Sequence, residues 1–104
     1  MRTLQSNLFS AVAAMAILLV GPGVQAAGFQ QGVAADPGRP PLVIGIWYPS
    51  QGDAKPVSMG PTTMNVARNA PVAGTALPMV MMSHGAGSSF LAHFDTAIAL
   101  ADAG

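Results

Sequence analysis

Near the C-terminal end of the chain, an apolar run, a glycine-bracketed loop and an amphipathic segment follow one another. Leu77–Ser83 has apolar residues at both odd and even positions, so a strand formed by it would be apolar on both faces. That pattern is typical of a central strand covered on both faces. His84–Ser89 carries two glycines and two serines, a loop composition in which either serine is suited to cap a helix. Apolar residues then recur with helical spacing from Phe90 to Ala101, and Gly104 is placed to end that helix. Strand, loop and helix in this order predict an α/β fold with a mostly parallel, helix-flanked sheet.

An antiparallel hairpin is predicted upstream of this unit. Phe29–Ala34 is suited to a first strand, and the turn-forming segment Asp36–Pro40 follows it. Leu42–Tyr48 is β-branched and aromatic, and Pro49 is expected to end it because proline cannot donate to a ladder. Residues 50–76 show no sustained period and predict a long surface connection on the rim of a larger domain.

The first 26 residues have the organisation of a cleavable signal peptide. The apolar run Leu8–Val20 spans thirteen residues, or about 20 Å as a helix, which is short for a hydrocarbon core of about 30 Å. Small residues at Val24 and Ala26 fit a cleavage site that leaves Ala27 as the new N-terminus. The sequence thus predicts a signal peptide over 1–26, a domain over 27–104 and a periplasmic or secreted bacterial protein. An uncleaved membrane anchor is the alternative.

Charge is scarce and scattered, which bears on the partners of the protein. Only 8% of the residues are charged, four basic and four acidic, whereas 51% are apolar. Nucleic acids and anionic membrane surfaces attract clustered positive charge, so neither is expected as a partner. The chain contains no cysteine, and a cysteine-free domain of the size of 27–104 has a marginal core by itself. Both observations suggest the front part of a larger exported protein.

The loop after Leu77–Ser83 is the candidate site. A glycine-bracketed turn at the end of a strand presents free backbone N–H groups that bind developing negative charge. An oxyanion hole and a phosphate cradle both use such donors, but the loop lacks the glycine spacing of dinucleotide sites and the Lys-Ser/Thr ending of a P-loop. We therefore assign the Ala86 N–H as an oxyanion donor, supported by His84, Gly85 and Gly87.

Three segments carry a resemblance to a known family: Gly45–Pro49 (GIWYP), the Leu77–Ser83 strand and Ser83–Ser88 (SHGAGS). Together they resemble the N-terminal part of the α/β-hydrolases described as predicted dienelactone hydrolases, which are relatives of platelet-activating-factor-acetylhydrolase-like esterases. Phe94–Ala101 resembles the helix that follows the loop in that family. The resemblance implies an incomplete α/β-hydrolase fold, made of an antiparallel hairpin, a central strand, an oxyanion loop and a first helix.

The resemblance also implies an activity, namely hydrolysis of small carboxylic esters or lactones by nucleophilic acyl transfer in the full-length protein. The nucleophile of that family lies in a G-x-S-x-G elbow, and this chain has none. Ser83 has methionine where the first glycine of an elbow stands, so it is interpreted as a strand-end residue. His84 is assigned a loop-orienting role. The catalytic triad is therefore expected to be absent from these 104 residues, and the chain alone is expected to be inactive.

No metal or cofactor is expected. His93 and Asp95 lie two positions apart on the predicted helix, where side chains point in different directions and spacing places no third ligand. Met79, Met81 and Met82 could be soft copper ligands, but strand alternation sends them to opposite faces as core residues. The alternative to an enzyme is a non-catalytic exported binding module whose Gly85–Ser89 loop captures an anionic group. A precursor with a functional leader peptide is a third possibility, and the sequence does not indicate an oligomeric state.

Overall fold

The computed structural model describes residues 23–104, so most of the predicted signal peptide, including the alternative membrane anchor, lies outside the described residues. Residues 23–104 form four strands and one helix: β1 (Ala26–Ala34), β2 (Leu42–Ser50), β3 (Lys55–Met59), β4 (Thr62–Arg68) and α1 (Phe94–Asp102). The strands form one sheet in the order β2-β1-β4-β3. No helix among the described residues is long and apolar enough to cross a membrane.

β1 and β2 form the antiparallel hairpin that the sequence predicts, with Phe29 opposite Trp47. β1 begins at Ala26, three residues earlier than expected, and β2 continues past Pro49 to Ser50. The carbonyl of Pro49 accepts a hydrogen bond of 2.8 Å from the Ala73 N–H on the side away from β1. Because the N–H and C=O of one antiparallel residue face the same way, proline removes no bond to β1 at this position. The expectation that Pro49 ends the strand was wrong for this reason.

A second hairpin occupies part of residues 50–76, for which the sequence predicts a long surface connection. β3 and β4 pair antiparallel from Lys55 opposite Val66 to Met59 opposite Thr62. Their two-residue turn starts with Gly60 at a φ of 60°, a conformation that glycine adopts without steric cost. β4 then pairs parallel with β1 over two residues.

The core lies between α1 and one face of the sheet. Its buried members come from the strands and the helix: Ala27, Phe29, Met64, Val66 and Ala101. The rings of Phe29 and Trp47 have centroids 4.9 Å apart, and Phe90 lies 6.5 Å from Trp47 on the helix side. Gly45 allows this approach, since a Cβ there would lie 2.6 Å from the Phe90 ring. Phe90 therefore packs the turn before α1 against β2.

The predicted fold class is not the one observed. The sheet is small and mixed, with a single parallel pairing over two residues, and α1 is one nine-residue helix. This is a mostly β arrangement, not a helix-flanked parallel sheet of the α/β-hydrolase kind. Leu77–Ser83 is not a strand, and its Met79 and Met81 side chains are 82% and 83% exposed. An apolar pattern on both faces requires neighbouring strands and covering helices, and the described residues provide neither around this segment.

Candidate functional site

The predicted oxyanion loop is a tight turn from Gly85 to Ser88. The Ser88 N–H donates to the Gly85 carbonyl at 3.2 Å, and Gly87 has a φ of 76°. A positive φ at the third residue defines a type II turn, in which glycine is favoured at that position. Gly87 thus meets the conformational demand of the turn, whereas Gly85 has no positive φ.

The turn leaves the nominated donor open. Among the hydrogen bonds of residues 23–104, none uses the N–H of Ala86 or of Gly87. Every residue from Ser83 to Ser89 is exposed, so an incoming anion meets no steric obstruction from this part of the chain. In chemical terms the turn offers two exposed backbone N–H groups that have no acceptor within residues 23–104.

The His84 side chain contacts the backbone carbonyl of the next residue, Gly85. Its Nδ1 lies 2.9 Å from the carbonyl oxygen of Gly85, which can only accept, so Nδ1 carries the proton in this contact. The same carbonyl accepts the Ser88 N–H. His84 is therefore directed at the backbone of the turn and forms no hydrogen bond with Ser83 in the described part of the chain.

The remaining candidate residues, His93 and Asp95, share no hydrogen bond within the described part of the chain. His93 precedes α1 without forming a side-chain cap, and Asp95 accepts a hydrogen bond of 2.9 Å from the Thr96 N–H. Within residues 23–104, no three His, Asp, Glu or Cys side chains lie close enough together to hold a metal ion. Met79 and Met81 are exposed rather than buried as core residues, which corrects their assignment.

One surface feature escaped the sequence analysis, because it depends on the unpredicted hairpin. An open cleft of about 420 Å³ lies at the base of β3 and β4, with Lys55 and Arg68 at its border and Val66 in its wall. None of its lining residues belongs to the Gly85–Ser88 turn. The sequence signal for this hairpin is short, since only Val57 and Met59, and then Met64 and Val66, lie two positions apart.

The described part of the chain is thus a small mixed-sheet protein with one helix and an exposed glycine turn. Comparison with known proteins finds no matching family model, no matching curated protein and no matching solved structure. The resemblance to dienelactone hydrolases accordingly stays a prediction from motifs.

Proposed function

We propose that this chain supplies an oxyanion-stabilising turn to an exported hydrolase of small carboxylic esters or lactones. The observation that supports the proposal is the type II turn Gly85–Ser88, whose Ala86 N–H is exposed and has no acceptor within residues 23–104. Acyl transfer develops a negative oxygen in its tetrahedral intermediate, and a fixed N–H aimed at that oxygen lowers the barrier by about 3 kcal/mol. His84 and Gly87 act by holding the turn.

The nucleophile, its base and the acid partner belong to another part of the enzyme. Within residues 23–104, the serines in and beside the turn (Ser83, Ser88 and Ser89) form no hydrogen bond with a histidine. A serine hydroxyl without an adjacent base is a weak nucleophile. The 104-residue chain alone is therefore proposed to lack turnover, and residues 1–26 to direct its export to the periplasm or beyond.

The test is an assay of the product of the complete reading frame that begins at Met1. Ala86→Pro is the informative variant, since proline is favoured at the second position of a type II turn and has no backbone N–H. Ala86→Gly is the matched control, because it retains the N–H at the same position. With short-chain nitrophenyl esters and a simple lactone, kcat should fall about 100- to 1,000-fold for Ala86→Pro and change little for Ala86→Gly.

Two results would refute the enzyme proposal. One is the absence of esterase and lactonase activity from the complete product, and the other is equal kcat for the proline and glycine variants. A change in KM with constant kcat would also count against it, because an oxyanion donor acts on the transition state rather than on the bound substrate.

A binding module remains the second candidate, favoured by the missing nucleophile–base pair among the described residues. In that function the same turn holds a carboxylate or phosphonate without chemistry. Titration with acetate or methylphosphonate would then shift the backbone amide resonances of Ala86 and Gly87 in a protein that has no hydrolytic activity. The Ala86→Pro variant should lose that response.

A further inference from the structure

Leu77–Ser83, called the donor segment below, forms neither a strand nor a helix and has no hydrogen-bonded partner within residues 23–104. No backbone hydrogen bond within residues 23–104 begins or ends on it. Its central side chains are highly exposed, at 82% for Met79, 60% for Val80 and 83% for Met81. Unpaired N–H and C=O groups beside apolar side chains form a template for pairing with another strand.

A second unpaired edge lies on β2. β2 pairs with β1 along one side. Along its other side, the described chain contacts β2 at its C-terminal end, where Val72 bridges to Ser50. The remaining stretch Leu42–Tyr48, called the acceptor edge, has exposed apolar side chains, with Leu42 at 54% and Ile46 at 45%. Acceptor edge and donor segment are both seven residues long.

The donor segment does not reach the acceptor edge of its own copy. The chain follows β2 only to Ala73 and then turns away through Gly74 at a φ of 100° and Ala76 at a φ of 52°. Ala76 adopts a left-handed conformation that costs about 1 kcal/mol for a residue with a Cβ. These two positions direct the donor segment away from β2, so that among residues 23–104 of one copy both edges stay open.

We propose that two copies of the chain exchange donor segments, each pairing with the acceptor edge of the other copy. This inference goes beyond the proposed hydrolase function and does not depend on it. Because each copy gives one segment and receives one, the contact is isologous and closes as a two-fold dimer.

Charge and size both fit a second copy as the occupant. Neither edge contains a charged residue, whereas edge strands that avoid pairing commonly carry lysine or another charge. A charged partner strand would find no opposite charge on these edges, whereas an uncharged apolar strand would bury its side chains against them. Each copy contributes seven residues from each edge, fourteen in all, which is fewer than the roughly 20 to 30 residues a side of a standard stable interface. The dimer is therefore expected to dissociate on dilution.

Light scattering after size exclusion tests the exchange on the full chain as an exporting host processes it, over a wide range of concentrations. Wild type should be dimeric at high concentration. Met81→Lys charges the donor segment and Ile46→Lys charges the acceptor edge, and each variant should be monomeric. Val33→Lys is the control, because Val33 is 71% exposed but belongs to neither edge. It should dimerise like wild type, and the two monomeric variants should give the circular dichroism spectrum of wild type diluted to its monomeric range.

Three outcomes would overturn the proposal. A wild type that is monomeric at every concentration excludes exchange. A dimer that survives Ile46→Lys but not Met81→Lys means that donor segments pair with each other. Open-ended polymers of wild type mean that the contact does not close. If Ile46→Lys fails to fold, Val43→Lys, at another position of the acceptor edge with 49% exposure, replaces it.

Discussion

Gly28 shows how a single missing side chain determines packing. It lies in β1 directly opposite Tyr48, and a Cβ at Gly28 would overlap the Tyr48 ring. The ring cannot move aside, because its hydroxyl donates a hydrogen bond of 2.6 Å to the Ala70 carbonyl. Gly28→Ala should therefore destabilise the fold by about 1–3 kcal/mol through overpacking. Urea unfolding followed by fluorescence of Trp47, the one tryptophan, measures the change.

Gly32→Ala is the matched control in the same strand. A Cβ at Gly32 meets its nearest neighbour, Ile44 Cγ1, at 3.7 Å, an ordinary contact distance. This substitution should be neutral or stabilise by up to about 1 kcal/mol, since alanine lowers the conformational entropy of the unfolded chain. Equal losses for the two variants would show that glycine in β1 matters for the backbone and not for the Tyr48 ring.

The Tyr48 hydroxyl gives the fold a pH dependence in the alkaline range. Burial raises the pKa of Tyr48 above its ordinary value of 10.0, and a hydrogen bond from the Gln30 side chain partly opposes that rise. The neutral hydroxyl is favoured in the folded state, so its contribution is fully present below about pH 10 and is lost as pH rises through the elevated pKa. Tyr48→Phe should cost about 1–2 kcal/mol at neutral pH. The difference from wild type should shrink above pH 10, and a constant difference would contradict this account.

At the scale of elements, α1 is held to the sheet by small residues. Ala101 is 5% exposed and packs among Ala27 and Phe29 in the core, whereas Ala99 lies on the exposed side of the same helix. Ala101→Leu should separate α1 from the sheet and lower stability by about 1–3 kcal/mol. Ala99→Leu places the same side chain in solvent and should change stability by less than about 0.5 kcal/mol. If the urea unfolding midpoints of Ala101→Leu and Ala99→Leu fell equally, α1 would have a different orientation on the sheet.

The elements also show what the sequence could predict. The β1–β2 hairpin followed from β-branched and aromatic runs around a proline-glycine turn, which are local signals. β3 and β4 were missed because Pro56 and Pro61 resemble loop residues and because each strand has only a short alternation, Val57 and Met59 in β3 and Met64 and Val66 in β4. Leu77–Ser83 was placed wrongly for a different reason. Its apolar pattern describes its own side chains, but the neighbours that make a central strand are remote in sequence and cannot be inferred from it.

For the candidate site, the sequence predicted a glycine loop over His84–Ser89, and the structure contains a turn there. The identity of the free donors could be anticipated, since a turn closed by Gly85 and Ser88 leaves the N–H groups between them unused. The contact from His84 to the Gly85 carbonyl depends on a rotamer that no sequence pattern specifies. The proposed oxyanion role remains a prediction that kinetics must test.

At the scale of the whole molecule, the residues around the proposed cleavage site are also part of the folded sheet. The predicted cleavage point lies between Ala26 and Ala27, which begin β1 and are 7% and 2% exposed. Just before it, Gln25 donates its N–H to the Ser50 carbonyl at 2.9 Å and its Nε2 to Asp53 at 2.7 Å. A peptidase needs an accessible extended substrate, so cleavage must precede folding of β1.

Processing should therefore depend on the order of export and folding. A chain exported during synthesis should give an intact mass that starts at Ala27, whereas a chain folded first should resist cleavage by signal peptidase until urea unfolds it. Removal of Gln25 deletes its backbone bond to Ser50, so residues 27–104 should be less stable than residues 23–104 by about 1 kcal/mol. An exported product that retains residues 1–26, or a folded precursor that is cleaved as fast as an unfolded one, would contradict the proposed signal and its cleavage site.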